Sequence, residues 1–137
     1  MGRLLSIDYG LKRVGIAVSD PLKIIATGLK TVENKELFDF LKAYTIENEV
    51  EAFIVGDPAN LDDTPTHLTE PVNKLIEKLT KQFPDIPIHR VNEQFSSKRA
   101  MQSLIQSGVR KKNRRNKALL DEVSATIILQ DFMYEQE

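Results

Sequence analysis

The chain has 137 residues and contains no cysteine, no tryptophan and only two histidines. Without cysteine, it cannot form a disulfide framework, a thiolate nucleophile or a thiolate metal site. The two histidines, His67 and His89, are not closely spaced, so a histidine-based zinc site has little support. His89 falls inside a predicted strand, where packing or surface exposure is the simpler role.

Long apolar runs are also missing. No segment approaches the roughly 18 apolar residues of a membrane span, and the apolar run near the start is too short for a signal peptide. We therefore expect a cytoplasmic protein with no membrane contact. The length suits one domain with a core of its own, and we expect residues 1–137 to form that domain.

The charges are unevenly distributed, although the net charge is only -1. Residues 33–85 contain 12 acids and 5 bases, whereas residues 94–117 contain 8 bases and no acid. Such an asymmetry indicates a dipolar molecule with one side that faces a polyanion.

The stretch from Leu4 to Asp20, LLSIDYGLKRVGIAVSD, predicts two strands joined by a tight turn at Gly10. In the return strand bulky residues alternate with Gly15, Ala17 and Ser19, so one of its faces is nearly bare. A bare face lets another element pack closely. Asp8 stands at the carboxyl end of the first strand, where it can bind a cation, meet a phosphate or make a turn hydrogen bond.

The rest of the chain alternates between strand and helix patterns. Apolar periodicity predicts a third strand at Lys23–Val32, a helix from Leu37 to about Asn48 capped by Asn34, a strand at Ala52–Gly56, a helix at about His67–Phe83, a strand at Ile86–Val91, a helix from Ser96 or Ser97 to Gly108, and a helix from about Asn116 to Tyr134. Because helical crossovers join parallel strands, this order predicts an α/β fold with helices on both faces of one mixed five-stranded sheet, three strands antiparallel and two parallel.

Three acids follow predicted strands. Asp8, Asp57 and Glu93 each come at a strand's carboxyl end, where ligands of open sheets gather, so we expect them to lie close together. A fourth acid, Asp121, shares a helix face with Ala125, Ile128 and Phe132. A carboxylate on an apolar face usually needs a metal, a base or a hydrogen-bond network as its partner. Alternatively, an acid near the start of a helix is favoured by the helix dipole and needs no other partner.

Clustered carboxylates repel one another unless a divalent cation compensates them. Oxygen ligands without cysteine or histidine favour Mg²⁺ or Mn²⁺ over zinc. Two such ions can promote in-line displacement at phosphorus, so the acids predict nuclease chemistry.

The segment Arg110–Lys117 contains six bases in eight residues. In isolation the segment would be interpreted as a solvent-exposed run of charges. Its position directly before the helix that bears Asp121 favours binding to the phosphate backbone of nucleic acid. The residues predicted to bind nucleic acid are Lys12, Arg13, Lys98, Arg99, Arg110, Lys111, Lys112, Arg114, Arg115 and Lys117.

Five segments together resemble the YqgF family, Holliday-junction resolvase-like nucleases that are also implicated in maturing the 5′ end of pre-16S ribosomal RNA. They are IDYGLKRVGIAVSD (Ile7–Asp20), IVGDPAN (Ile54–Asn60), NEQFSS (Asn92–Ser97), SGVRKKNRRNK (Ser107–Lys117) and KALLDEVSATIILQ (Lys117–Gln130). The resemblance implies a ribonuclease H-like fold, with Asp8, Glu93 and Asp121 as the metal-binding catalytic acids. The implied partner is a structured RNA precursor or branched DNA, bound by a monomer or a homodimer.

The chain also departs from that family. The family usually has an Asp-Glu-Arg run where this chain has Asn92, Glu93 and Gln94, which leaves open a nucleic-acid-binding module that has lost catalysis. The family favours an apolar residue where Asp57 stands, which makes Asp57 a loop acid with at most a local role. The hairpin at Asp8–Gly15 is also similar to the phosphate-binding loop of sugar kinases and actin-like proteins, but those need a second domain to enclose ATP.

Overall fold

The computed structural model describes residues 2–58, 66–92 and 117–135. Its elements, in chain order, are β1 (Arg3–Tyr9), β2 (Arg13–Ser19), β3 (Ala26–Glu33), α1 (Leu37–Glu47), β4 (Val50–Asp57), α2 (Thr69–Gln82), β5 (Ile88–Asn92) and α3 (Lys117–Glu135). A short 3₁₀ turn, Asn34–Glu36, leads into α1. All eight correspond to predicted elements, with bounds that differ by at most three residues.

The five strands form one mixed sheet in the order β3-β2-β1-β4-β5. β1 and β2 pair antiparallel, as do β2 and β3, whereas β4 runs parallel to both β1 and β5. The carboxyl ends of β1, β4 and β5 therefore lie at one edge of the sheet, together with the turn between β1 and β2. We call this the carboxyl edge. The predicted sheet is confirmed.

Helices cover both faces of the sheet, as predicted. Strand alternation sends Leu5 and Ile7 to a first core, where they meet the buried side chains of α1 and α2, Leu37, Leu41, Val72, Leu75 and Leu79. The opposite face forms a second core under α3, which contains Leu4, Ala17, Ala52, Ile54, Val91, Ala125, Ile128, Leu129 and Phe132. The faces are thus separate apolar layers, each closed by its own helices.

The third strand begins later than its apolar pattern predicts. It starts at Ala26 instead of Lys23, because the preceding residues fold around Asp20. The Asp20 carboxylate accepts hydrogen bonds from the backbone N–H groups of Ile24, at 2.7 Å, and Ile25, at 2.8 Å. A local side-chain acceptor has therefore replaced ladder pairing over these apolar residues.

The prediction that Asn34 caps α1 is wrong. Its side-chain amide donates to the carbonyl oxygen of Gly10 at 2.7 Å, and its backbone N–H donates to the carbonyl of Lys12 at 2.9 Å. Asn34 thus ties the end of β3 to the turn between β1 and β2. The residue before α1 is Glu36, whose side chain makes no cap hydrogen bond.

The predicted helix from Ser96 or Ser97 to Gly108 lies outside the described residues. Across the described ranges, no helix combines the length and the apolar character needed to span a membrane.

The turn at Asp20 gives a pH-dependent prediction. The backbone N–H of Ile25, with a smaller contribution from Ile24, holds the pKa of Asp20 below its ordinary value of 3.8. The stabilisation from the ionised form is present above the unfolded-state pKa and is lost as the pH falls through the folded-state pKa. Asp20→Asn keeps an oxygen acceptor but removes the charge. The wild type should therefore unfold at higher urea concentration than Asp20→Asn at pH 7, and this advantage should shrink as the pH falls below about 4 and vanish below the folded-state pKa.

Urea titrations of both proteins between pH 7 and pH 3 measure that difference. A difference in midpoint that stays constant over this range would contradict the assignment.

Candidate active site

Asp8 is the next-to-last residue of β1 and lies at the carboxyl edge. Strand alternation places it on the same face as Leu4 and Ser6, the face covered by α3. Its partner across the β1–β2 ladder is Gly15. The predicted acid therefore stands beside the barest position of the return strand.

The helix α3 fills that bare position. A Cβ atom added to Gly15 would overlap the backbone carbonyl of Asp121, so the helix backbone lies directly on the glycine. The next position of β2 on this face, Ala17, is fully buried in the second core. The small residues of β2 thus admit the first turns of α3 at a distance that larger side chains would prevent.

A hydrogen bond fixes the position of α3 along the strand direction of the sheet. The buried hydroxyl of Ser6 donates to the carbonyl oxygen of Ala125 at 2.7 Å. From Ser6 to Asp8 the strand advances about 6.6 Å, and from Ala125 back to Asp121 the helix rises about 6.0 Å. Since Asp121 also lies on Gly15, the partner of Asp8, both contacts bring the two acids to the same level of the sheet.

The partner of Asp121 in this structure is Arg13. The Nε atom of Arg13 donates to Oδ2 of Asp121 at 2.9 Å, with side-chain exposures of 37% and 24% respectively. Arg13 is the first residue of β2 and was predicted to contact nucleic acid. Its position shows that a carboxylate of this site already binds a cationic group. Of the roles that the sequence leaves open for Asp121, the structure shows pairing with a base.

Asp57 does not join the other acids. It ends β4 at the carboxyl edge, but alternation with Phe53 and Val55 turns it toward the first core, on the face opposite Asp8. Its Oδ1 atom accepts a hydrogen bond from Arg90 at 3.0 Å, and Arg90 also donates to Asn73 of α2 at 2.8 Å. The expectation that all three strand-end acids converge is therefore wrong for Asp57.

The third predicted catalytic acid, Glu93, lies outside the described residues, and so does Gln94. Asn92 is the last residue of β5 and pairs with Asp57 in the β4–β5 ladder. Within residues 2–58, 66–92 and 117–135, no three acids or histidines come close enough to hold a metal ion together. The described part of the site thus supplies two carboxylates, Asp8 and Asp121.

The predicted nucleic-acid-binding residues are divided in the same way. Lys12 is exposed in the turn after β1, beside Arg13. The backbone of Lys117 begins α3. The others, Lys98, Arg99, Arg110, Lys111, Lys112, Arg114 and Arg115, lie outside the described residues.

Sequence reasoning missed the role of Ser6. A serine inside an apolar strand is the available signal, because a buried hydroxyl almost always has a hydrogen-bond partner. The sequence could not name that partner, which is a backbone carbonyl 119 residues away along the chain.

Comparison with known proteins identifies the family. A family model described as "RuvX: Holliday junction resolvase" matches residues 2–135. A protein of Christiangramia forsetii named "Putative pre-16S rRNA nuclease" is 50% identical over 135 residues, which cover 98% of this chain and 100% of that protein. The chain belongs to the RuvX family. The family resemblance read from the sequence is thereby confirmed, and membership places the chain among phosphodiester-hydrolysing nucleases.

A further relative carries the same name, and two solved structures share the fold. A Flavobacterium johnsoniae protein with the same name is 47% identical over 133 residues, covering 97% of this chain and 96% of the relative. The Fowlpox virus resolvase in complex with Holliday junction DNA superposes on this RuvX chain with a TM-score of 0.62 at 11% identity, over 98% of each chain. T. thermophilus RuvC, also bound to a Holliday junction, gives 0.58 at 18% identity, over 99% of this chain and 96% of that one. These structures show the resolvase fold.

The contact at Gly15 gives a stability prediction for this RuvX protein. In Gly15→Ala the new methyl group collides with the helix backbone, so α3 must shift, and we expect a loss of about 1–3 kcal/mol in the free energy of unfolding. Gly28→Ala on β3 is the matched control. Its added methyl group would come no closer than 3.3 Å to another atom: Thr126 Oγ1 lies at 3.3 Å, Glu122 Cβ at 3.5 Å and the Glu122 carbonyl oxygen at 3.6 Å, all on the same helix. We expect a change within about 0.5 kcal/mol there.

Urea unfolding of the two variants and the wild type makes the comparison. Equal stability of Gly15→Ala and Gly28→Ala would show that α3 does not depend on close approach at Gly15.

Proposed function

We propose that this RuvX protein is a divalent-metal-dependent endonuclease that processes the 5′ end of pre-16S ribosomal RNA in the cytoplasm. The observation that carries the proposal is the placement of Asp8 and Asp121 on one face of the sheet, on either side of Gly15. Two carboxylates from distant parts of the chain meet at the edge where α/β proteins bind ligands.

The two described carboxylates are of the ligand type that a hard divalent cation prefers. Both acids offer oxygen ligands, which suit Mg²⁺ or Mn²⁺. The guanidinium of Arg13 pairs with Asp121 in this structure, so a metal ion held by Asp121 would share or replace that contact. Ions held by these carboxylates would supply the Lewis acidity that in-line displacement at phosphorus needs, at the attacking water and at the leaving oxygen.

The acidic residues, the basic residues and Arg13 have different roles in this function. Asp8 and Asp121 bind the cation together with Glu93, which follows β5 by one residue. The basic residues from Lys98 to Lys117, together with Lys12, hold the phosphate backbone and give affinity without base specificity. Arg13 neutralises Asp121 when no other cation does, which lowers the repulsion between the two carboxylates.

The choice of an RNA precursor rests on the most similar relatives. Proteins 43% to 50% identical to this chain carry the name of a pre-16S rRNA nuclease. The description of the family favours a second candidate substrate, the four-way DNA junction. The solved junction complexes are 11% and 18% identical and therefore support the fold alone.

A non-catalytic binding module is the alternative function. Asn92 and Gln94 replace the acid and the guanidinium that the family usually has beside Glu93, which removes one potential ligand and one potential phosphate contact. Such a protein would bind nucleic acid with a steep salt dependence and would not cleave it.

Substitution of Asp8 tests the catalytic assignment. Asp8→Asn removes a charged ligand, so we expect metal-dependent cleavage to fall at least about 100-fold, the upper end of what loss of an outer-shell partner costs. Asp57→Asn is the matched control, an acid at the same edge but on the opposite face, and should keep wild-type cleavage. Circular dichroism and urea unfolding establish that both variants fold. Equal cleavage by Asp8→Asn and the wild type would overturn the assignment.

The substrate is tested with the wild type. End-labelled pre-16S RNA and a four-way DNA junction are incubated in Mg²⁺, Mn²⁺ or EDTA, and the products are resolved on denaturing gels. We expect cleavage of the RNA near the mature 5′ end, with either metal and not in EDTA. Cleavage of the junction alone would replace the substrate, and binding of either nucleic acid without cleavage would favour the non-catalytic module.

A further inference from the structure

A groove with four lysines lies between α1 and α2, on the face of the sheet opposite Asp8. It has a volume of about 480 Å³ and opens to solvent. Its lining includes Tyr9 and Phe38 together with the four lysines Lys35, Lys42, Lys74 and Lys78. One acid, Asp39, also lines it, and Lys35 forms an exposed ion pair with Glu33 at 3.4 Å. The surplus of positive charge makes the groove a candidate site for a polyanion.

The lysines come from the most acidic part of the chain. Residues 33–85 contain only five bases, and four of them line this groove. The fifth, Lys81, is on α2 but does not line it. The fold therefore places four of these five bases on one surface, although the segment as a whole is acidic.

The groove begins next to the candidate active site. Tyr9 directly follows Asp8 in β1, so the two side chains point to opposite faces at the same carboxyl edge. Asn34, which also lines the groove, binds the turn between β1 and β2 through Gly10. A strand of nucleic acid that extends from the face bearing Asp8 across the carboxyl edge would therefore lie directly against the groove.

The side chains are arranged for phosphate contacts along a strand. Lys74 and Lys78 are four residues apart on α2 and share one helix face. The Lys78 ammonium lies 4.2 Å from the centre of the Phe38 ring, a cation–π contact that holds it within the groove. From Pro71 to Gln82, the outermost α2 residues of the groove, the helix rises about 16 Å. This is about five times 3.4 Å, the spacing along the duplex axis of the charges on one strand of B-form DNA.

We propose that this groove binds the phosphate backbone of the substrate strand that flanks the cleavage site. The proposal rests on the proposed nuclease function and adds a second contact surface, separate from the basic residues 98–117. Lys42 and Lys74, both exposed, make backbone contacts that raise affinity without reading sequence.

Binding can be measured without cleavage in an Asp8→Asn background. The test variant adds Lys42→Gln and Lys74→Gln. The control variant adds Lys30→Gln and Lys81→Gln, which remove the same charge at exposed lysines that do not line the groove. Fluorescence anisotropy gives the affinity for labelled pre-16S RNA and a four-way DNA junction between 50 and 200 mM salt, in EDTA.

We expect the test variant to bind roughly tenfold more weakly at low salt, with a slope of log K against log[salt] that is smaller by about 1.4 to 1.8. The control should match its parent. If parent and test variant bind equally, with equal slopes, the groove inference fails and the nuclease proposal stands. If the parent binds neither nucleic acid, both fail. If test and control variants lose affinity equally, the effect is net charge and the groove inference fails.

The absence of cysteine allows a second, independent measurement. A single Lys74→Cys substitution carries a thiol-reactive photo-crosslinker into the groove, and Lys30→Cys carries it to the other side of α1 as a control. Crosslinking to bound nucleic acid from Lys74→Cys, and not from Lys30→Cys, is the expected result. The reverse pattern would overturn the proposal.

Discussion

The close approach of α3 to β2 is the constraint on which the site depends. The backbone of Asp121 lies directly on Gly15, and the Ser6 hydroxyl binds the Ala125 carbonyl one helical turn further along. One contact sets the height of the helix above the sheet, and the other sets its position along β1. Together they place a carboxylate from the end of the chain beside one from its beginning, which neither local element could do alone.

Like charges drawn together need compensation, and the structure provides it with Arg13. The pair is partly exposed, so its contribution to stability is small, and its importance lies in where it holds the Asp121 carboxylate. The opposite face shows the same principle in a structural role. There Asp57 pairs with Arg90, which also binds Asn73, and the acid is part of a surface network on the far side of the sheet.

Charge counts along the chain predicted one polyanion-facing surface and did not reveal a second. The stretch with the greatest acidic excess also supplies the lysines of the groove between α1 and α2. A charge count over a segment cannot show which charges lie on the same face of a helix, because it sums over side chains that point in different directions. The groove, which begins beside Tyr9, gives the nuclease proposal a path for the strand on either side of the cleavage point.

The mixed five-stranded sheet, both helical layers and the bare face of β2 could be predicted from the sequence, because apolar periodicity and residue size are local properties. The sequence misplaced the start of β3 and the role of Asn34, since both depend on hydrogen bonds to a particular neighbour. The sequence did not show that Asp8 and Asp121 share a face while Asp57 lies on the other; the pairing of the strands and the packing of α3 establish it. That outcome follows from strand register, where a shift of one residue exchanges the two faces of the sheet.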